Sequence, residues 1–115
     1  MGSLTLKQRG NDDTSDISPI LQAQLKQGQM IAVACEDTWY PAVVERDNLA
    51  GGDVTVSFGE LGKTLGTFRW PTGKDIHTVS RRRVVSTNVV HEPRAGGRSW
   101  FVTNASEIQR MFKMF

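Results

Sequence analysis

The chain has 115 residues, 38% of them apolar and 23% charged, and a formal net charge of +2 at pH 7. That length gives room for about one domain plus tails and argues against a large multidomain enzyme. The single cysteine, Cys35, excludes an internal disulfide framework and any zinc site built from paired cysteines.

No run approaches the roughly 18 consecutive apolar residues that a membrane span needs, and no apolar leader opens the sequence. The expectation is a soluble intracellular protein, nuclear or cytoplasmic. Charge is unevenly spread. Between residues 31 and 60, Glu36, Asp37, Glu45, Asp47, Asp53 and Glu60 face Arg46 alone. From residue 81 onward, Arg81, Arg82, Arg83, Arg94, Arg98, Arg110 and Lys113 face Glu92 and Glu107. An acidic half followed by a basic half fits a basic partner for one face, an acidic partner for the other, or pairing within the fold.

Residues 1–17 are polar without an apolar period and read as a flexible lead-in. Ser18-Pro19 then offers an N-cap with proline at the first helical position, and Ile20, Leu21 and Leu25 follow before Gly28, predicting a short helix over 19–27 within an 18–28 segment. From Met30 the pattern turns to short β-branched and aromatic runs separated by turns about ten residues apart, which predicts a small all-β barrel over residues 29–86. Its predicted strands are Met30 to Cys35, Trp39 to Arg46, Val54 to Phe58, Thr64 to Trp70 and Ile76 to Val85. In the third, alternation sets Val54, Val56 and Phe58 on one face against Thr55 and Ser57.

The last block, 87–115, divides in two. His91 to Arg98 has the composition of an exposed linker. Beyond it, Asn104 and Glu107 stand at capping-box spacing, and Ile108, Met111, Phe112 and Phe115 share one stripe of a predicted helix over 105–114. A helix that short needs cover for its stripe, with the barrel as the nearer option and a homodimer contact as the other.

The run Ile31-Ala32-Val33-Ala34-Cys35-Glu36-Asp37-Thr38-Trp39-Tyr40-Pro41-Ala42-Val43-Val44 resembles the opening of Tudor domains, where a strand of small residues and an acidic turn lead into Trp-Tyr-x-Ala-x-Val. Val56-Ser57-Phe58-Gly59-Glu60-Leu61-Gly62 is similar to the family's Val-x-Phe-x-Asp-Tyr-Gly segment. Thr67-Phe68-Arg69-Trp70-Pro71 also resembles a motif of Tudor-like modules associated with mobile elements. The resemblance covers about residues 28–85. It implies a mainly β fold, a five-stranded SH3-like (Tudor- or chromo-type) barrel here flanked by a short N-terminal and a C-terminal helix. It also implies a noncatalytic reader of basic peptides, methylated or not, such as histone tails.

Such readers hold a methylated cation over aromatic faces, worth up to roughly 2 kcal/mol per desolvated contact. By position, Tyr40 and Phe58 match two walls of that cage. The other usual aromatic positions fall on Ala34 or Cys35 and on Leu61, and Lys63 stands where a polar residue commonly follows the glycine. The expected ligand-binding set is therefore Tyr40, Phe58, Trp70 and Trp39, with Glu36, Asp37 and Glu60 steering a basic peptide toward them. The competing reading gives the aromatic side chains, Phe68 included, to core and rim packing.

An alternative function rests on the basic second half. Arg81, Arg82, Arg83, Lys63, Arg69 and Lys74, with Arg94 and Arg98, form a candidate nucleic-acid surface whose affinity would fall steeply with salt. Strand alternation allows at most two of the three consecutive arginines to share a face. Cys35, His77 and His91 show no nucleophile pattern, and no His, Cys or Asp spacing suits a metal. Neither an enzymatic role nor a cofactor is expected.

Overall fold

The computed structural model describes residues 24–115. Its strands are β1 (Met30–Ala34), β2 (Trp39–Asn48), β3 (Asp53–Phe58), β4 (Glu60–Leu61), β5 (Thr67–Arg69), β6 (Ile76–Ser80), β7 (Val84–Ser86), β8 (His91–Arg94) and β9 (Ser99–Val102). A single α-helix among the described residues, α1 (Ala105–Lys113), follows β9. None of the described helices is long and apolar enough to cross a membrane.

The strands form two antiparallel sheets, one ordered β6-β3-β2-β1-β7 and the other β4-β5-β9-β8. The sheets interlock along the chain. The β4-β5 segment leaves the first sheet between β3 and β6 and is completed by β9 and β8 from the C-terminal block. Residues expected to form an exposed linker therefore make an edge strand: His91 to Arg94 pair with Ser99 to Val102. Backbone hydrogen bonds to a neighbouring strand override a composition that reads as loop.

Two buried clusters lie on opposite faces of β1 and β2. Ile31, Val33, Ala42, Val44, Val54, Val56 and Val84 fill one. Ala32, Ala34, Trp39, Phe68, Val85, Val102, Ala105 and Ile108 fill the other. Burial on both sides explains why β1 reads Met-Ile-Ala-Val-Ala instead of alternating with polar residues. The helix docks on the second cluster through Ala105 and Ile108, with Phe112 packed against it, while Met111, Met114 and Phe115 remain exposed.

Three predicted elements differ in detail. The strand predicted over 64–70 shrinks to Thr67–Arg69 because Gly66 takes a φ of +90°. A Cβ at Gly66 would also stand 2.9 Å from the Ala105 side chain, so the turn is tailored to the approach of α1. The strand predicted over 76–85 breaks into a 3-10 turn at Arg81–Arg83, capped by the Ser80 hydroxyl, which accepts from the Arg82 N–H. Of the helix predicted over 19–27, residues 19–23 lie outside the described residues, as do residues 1–17, and residues 24–27 are not helical. Asp47 Oδ2 accepts hydrogen bonds from the Leu25 N–H at 2.7 Å and from Gln24 Nε2 at 2.8 Å, and Leu25 is buried in the first cluster. These tertiary contacts outweigh the local helical preference.

The capping-box reading of Asn104 also changes. Its side chain makes no cap bond to the helix; it accepts from the Val90 N–H at 3.0 Å and donates to the Asn88 carbonyl at 2.7 Å, tying the loop before β8 to the start of α1.

Candidate functional site

Strand register determines which side chains meet at one end of the five-stranded sheet. Val33 pairs with Tyr40, Ala42 with Phe58, and Val56 with His77. Directly paired residues project to the same face. The face that buries Val33, Ala42, Val44, Val54 and Val56 is therefore continued past the core by Tyr40, Phe58 and His77, with Cys35 following two residues after Val33. Apolar residues fill the middle of the sheet. Rings take over where it opens to solvent.

The rings form a row across three neighbouring strands. Tyr40 and Phe58 are edge to face, with centroids 5.9 Å apart and planes at 73°. Phe58 and His77 follow at 5.6 Å and 54°. They line a groove of about 760 Å³ to which Cys35, Glu60, Leu61, Asp75 and Arg83 also contribute. Asp75 Oδ1 stands 2.8 Å from His77 Nε2, both side chains being exposed by more than half. Gly59 lies beneath Phe68 and Pro41, where a Cβ would come within 2.9 Å of the Phe68 ring, so the backbone passes close over the core at this point.

Burial moves Cys35 away from nucleophile chemistry. Desolvation pushes its thiol above the ordinary 9.0, against the lowering pull of Arg83 and with a further push from Glu36. Arg83 is held in place by a bond from its Nη1 to the Ala34 carbonyl at 3.2 Å. Among the described residues, no group of three His, Cys, Asp or Glu side chains could hold a metal ion.

The structure divides the expected ligand-binding residues. Tyr40, Phe58 and Glu60 line the groove. Trp39 does not: it is buried in the second cluster, and its indole N–H donates to Gln109 Oε1 at 2.9 Å. Trp70 also packs toward that cluster, edge to face with Phe68 at 5.2 Å. Both tryptophans follow the core-packing reading. Glu36 and Asp37 are exposed in the turn after Cys35 and form no ion pair among the described residues.

The basic set is divided further. Arg81 is buried and paired with Asp47, both side chains 2% exposed, so it is withdrawn from any surface. Arg69 bonds Glu60 at 2.6 Å and Lys74 bonds Glu45 at 3.2 Å. Arg94 lies over the Phe101 ring at 4.5 Å. Much of the charge asymmetry is thus settled by pairing inside the fold. Lys63 and Arg82 are exposed and make no ion pair among the described residues, but they lie on different loops.

His77 and Asp75 are the groove residues that sequence reasoning missed. The signal was available in the pairing of strands: alternation continued from Val54 and Val56 to Phe58 fixes a face, and an antiparallel neighbour puts its own residue beside each of these. Without knowing that β6 neighbours β3, nothing distinguished His77 from a residue at a strand start. Comparison with known proteins gives no matching family model, no matching curated protein and no matching solved structure.

Proposed function

We propose that the chain is a noncatalytic interaction module of Tudor-like type, in which the five-stranded sheet acts as a small SH3-like barrel and its open end binds a cationic side chain of a basic peptide. The observation that carries this reading is the row Tyr40, Phe58 and His77 across β2, β3 and β6. Two nearly perpendicular rings, Tyr40 and Phe58, offer adjacent walls to a cation. His77 adds a third ring beside them. Asp75 brings negative charge to the same groove and favours a positive visitor, while Glu60, also at the groove, shares its charge with Arg69.

The order of the first sheet supports the barrel part of the proposal. Its edges are β6 and β7, and a single 3-10 turn joins them, so the sheet must curl strongly for a three-residue connection to reach from one edge to the other. Arg83 projects a cation into the groove and limits how much further positive charge fits there. A lysine or methyllysine seated on the rings, away from Arg83, satisfies both constraints.

The nucleic-acid reading receives less support, since Arg81 is buried and Arg69 and Lys74 are paired with acids. Substitution separates the two readings. Tyr40→Ala and Phe58→Ala should each weaken binding of a short lysine-centred peptide by about tenfold or more, corresponding to loss of roughly 1–2 kcal/mol of cation–π attraction. Arg82→Glu with Lys63→Glu should leave that binding within about twofold. Fluorescence anisotropy with unmodified and trimethylated peptides gives both numbers. Retained affinity in the aromatic variants, or binding of duplex DNA that disappears in the Arg82/Lys63 variant, would contradict the proposal.

A further inference from the structure

The register of β6 exposes a second recognition element beside the rings. The Phe58 N–H bonds the Asp75 carbonyl at 2.9 Å and the Arg81 N–H bonds the Gly52 carbonyl at 3.0 Å. Both contacts belong to the same register as the β3-β6 ladder, in which Val56 opposes His77 and Val54 opposes Val79. In an antiparallel ladder such hydrogen-bonded positions recur every second residue. Residues 75, 77, 79 and 81 therefore turn their backbone groups toward β3, and Ile76, Thr78 and Ser80 turn theirs outward. Among the described residues β6 has no neighbour on that side.

The other sheet edges are protected. β4 has two residues, β7 is buried throughout, and β8 carries Glu92, Pro93 and Arg94. Short length, burial, proline and charge are the usual means of keeping an edge from pairing. β6, with the sequence Ile-His-Thr-Val-Ser, has none of them, and Ile76 is half exposed.

We infer that β6 is a docking edge for an extended basic peptide, which adds a strand along Ile76, Thr78 and Ser80 and lays a lysine or arginine side chain across His77 onto Phe58 and Tyr40. This inference rests on the proposed function and specifies how the ligand is presented. The ring row begins at the outer strand of the described sheet and runs inward over β6, β3 and β2, at spacings of 5.6 and 5.9 Å. A residue placed beside His77 on an added strand, projecting to the same face, starts its side chain at the outer end of that row. Charge selects the occupant. Asp75, on the His77 face of the edge strand, and Glu60 lie at the groove, and Glu36 and Asp37, exposed and without an ion pair among the described residues, stand on the turn leaving Cys35. Main-chain bonds supply affinity in this mode, and alternate side chains supply specificity.

The test uses the full chain, a lysine-centred basic peptide, and tetramethylammonium as a small cation that cannot form a strand. Ile76→Pro removes an outward N–H without removing a bond to β3, and proline is tolerated on an edge strand. The expected result is a loss of peptide affinity of about tenfold or more with tetramethylammonium binding unchanged. As a second handle independent of the variant's folding, N-methylating alternate amides of the peptide should weaken binding in one phase and spare it in the other. Peptide binding that needs Tyr40 and Phe58 yet ignores both changes would overturn the edge inference and leave the aromatic site standing. Failure of peptide and tetramethylammonium alike would remove both. A dimer by light scattering that Ile76→Pro converts to monomer would assign the edge to a second copy and overturn the peptide as its occupant.

Discussion

Cys35 and Arg83 show how the groove treats charge at the level of single residues. The thiol follows Val33 out of the core and is partly covered, so its ionised form is disfavoured, and the Arg83 guanidinium offsets that cost in part. Alkylation proceeds through the thiolate. The rate–pH curve for Cys35 in the folded chain should therefore lie above that of an ordinary thiol, and Arg83→Ala should move it higher again, because the group that lowers the value is lost. Iodoacetamide kinetics across alkaline pH measure both displacements. A curve at or below the ordinary position, or a downward move in Arg83→Ala, would contradict the geometry. The same arginine that tempers Cys35 also lines the groove, so in the proposed reading a cation is left to Tyr40, Phe58 and His77.

The three consecutive arginines show how an element's environment decides what identical residues do. Arg81 closes β6 with its side chain buried against Asp47, whose other oxygen holds Gln24 and Leu25. Arg82 is exposed, and Arg83 reaches the Ala34 carbonyl. Removing one partner of a buried ion pair leaves the other uncompensated, typically at about 3–5 kcal/mol. Arg81→Ala should cost that order of stability in urea unfolding, while Arg82→Ala should stay within about 0.5 kcal/mol, the usual range for a surface change. Equal effects would refute the assignment. The sequence showed β1, β2, β3 and α1 because their apolar runs and flanking turns agree with their tertiary roles. It did not show β8, since His91-Glu92-Pro93-Arg94 has the polarity and proline of an edge strand, and these same features mark a loop. Nor did it show the break after Ser80. An arginine triplet reads as surface charge until a buried carboxylate on another strand is known. At the site, Tyr40 and Phe58 were legible from motif and alternation. For Trp39 and Trp70 the sequence leaves ligand binding and core packing both open, because it does not show that the opposite face of β1 and β2 is also covered.

At the scale of the whole molecule, the C-terminal block is part of the fold and not an appendage. β9 pairs with β5, and Ala105 and Ile108 cover the face that buries Trp39 and Phe68. That cover frees the opposite face to end in solvent-facing rings, so the second sheet and α1 position the groove without lining most of it. The acidic and basic halves meet as Asp47–Arg81, Glu45–Lys74 and Glu60–Arg69. The most direct measurement of the central claim is an NMR titration of the isotope-labelled full chain with a trimethylated lysine-centred peptide. The largest shift changes should fall on Tyr40, Phe58, His77 and Asp75. Saturating changes confined to Lys63, Arg82 and Arg98, with those four resonances still, would contradict it.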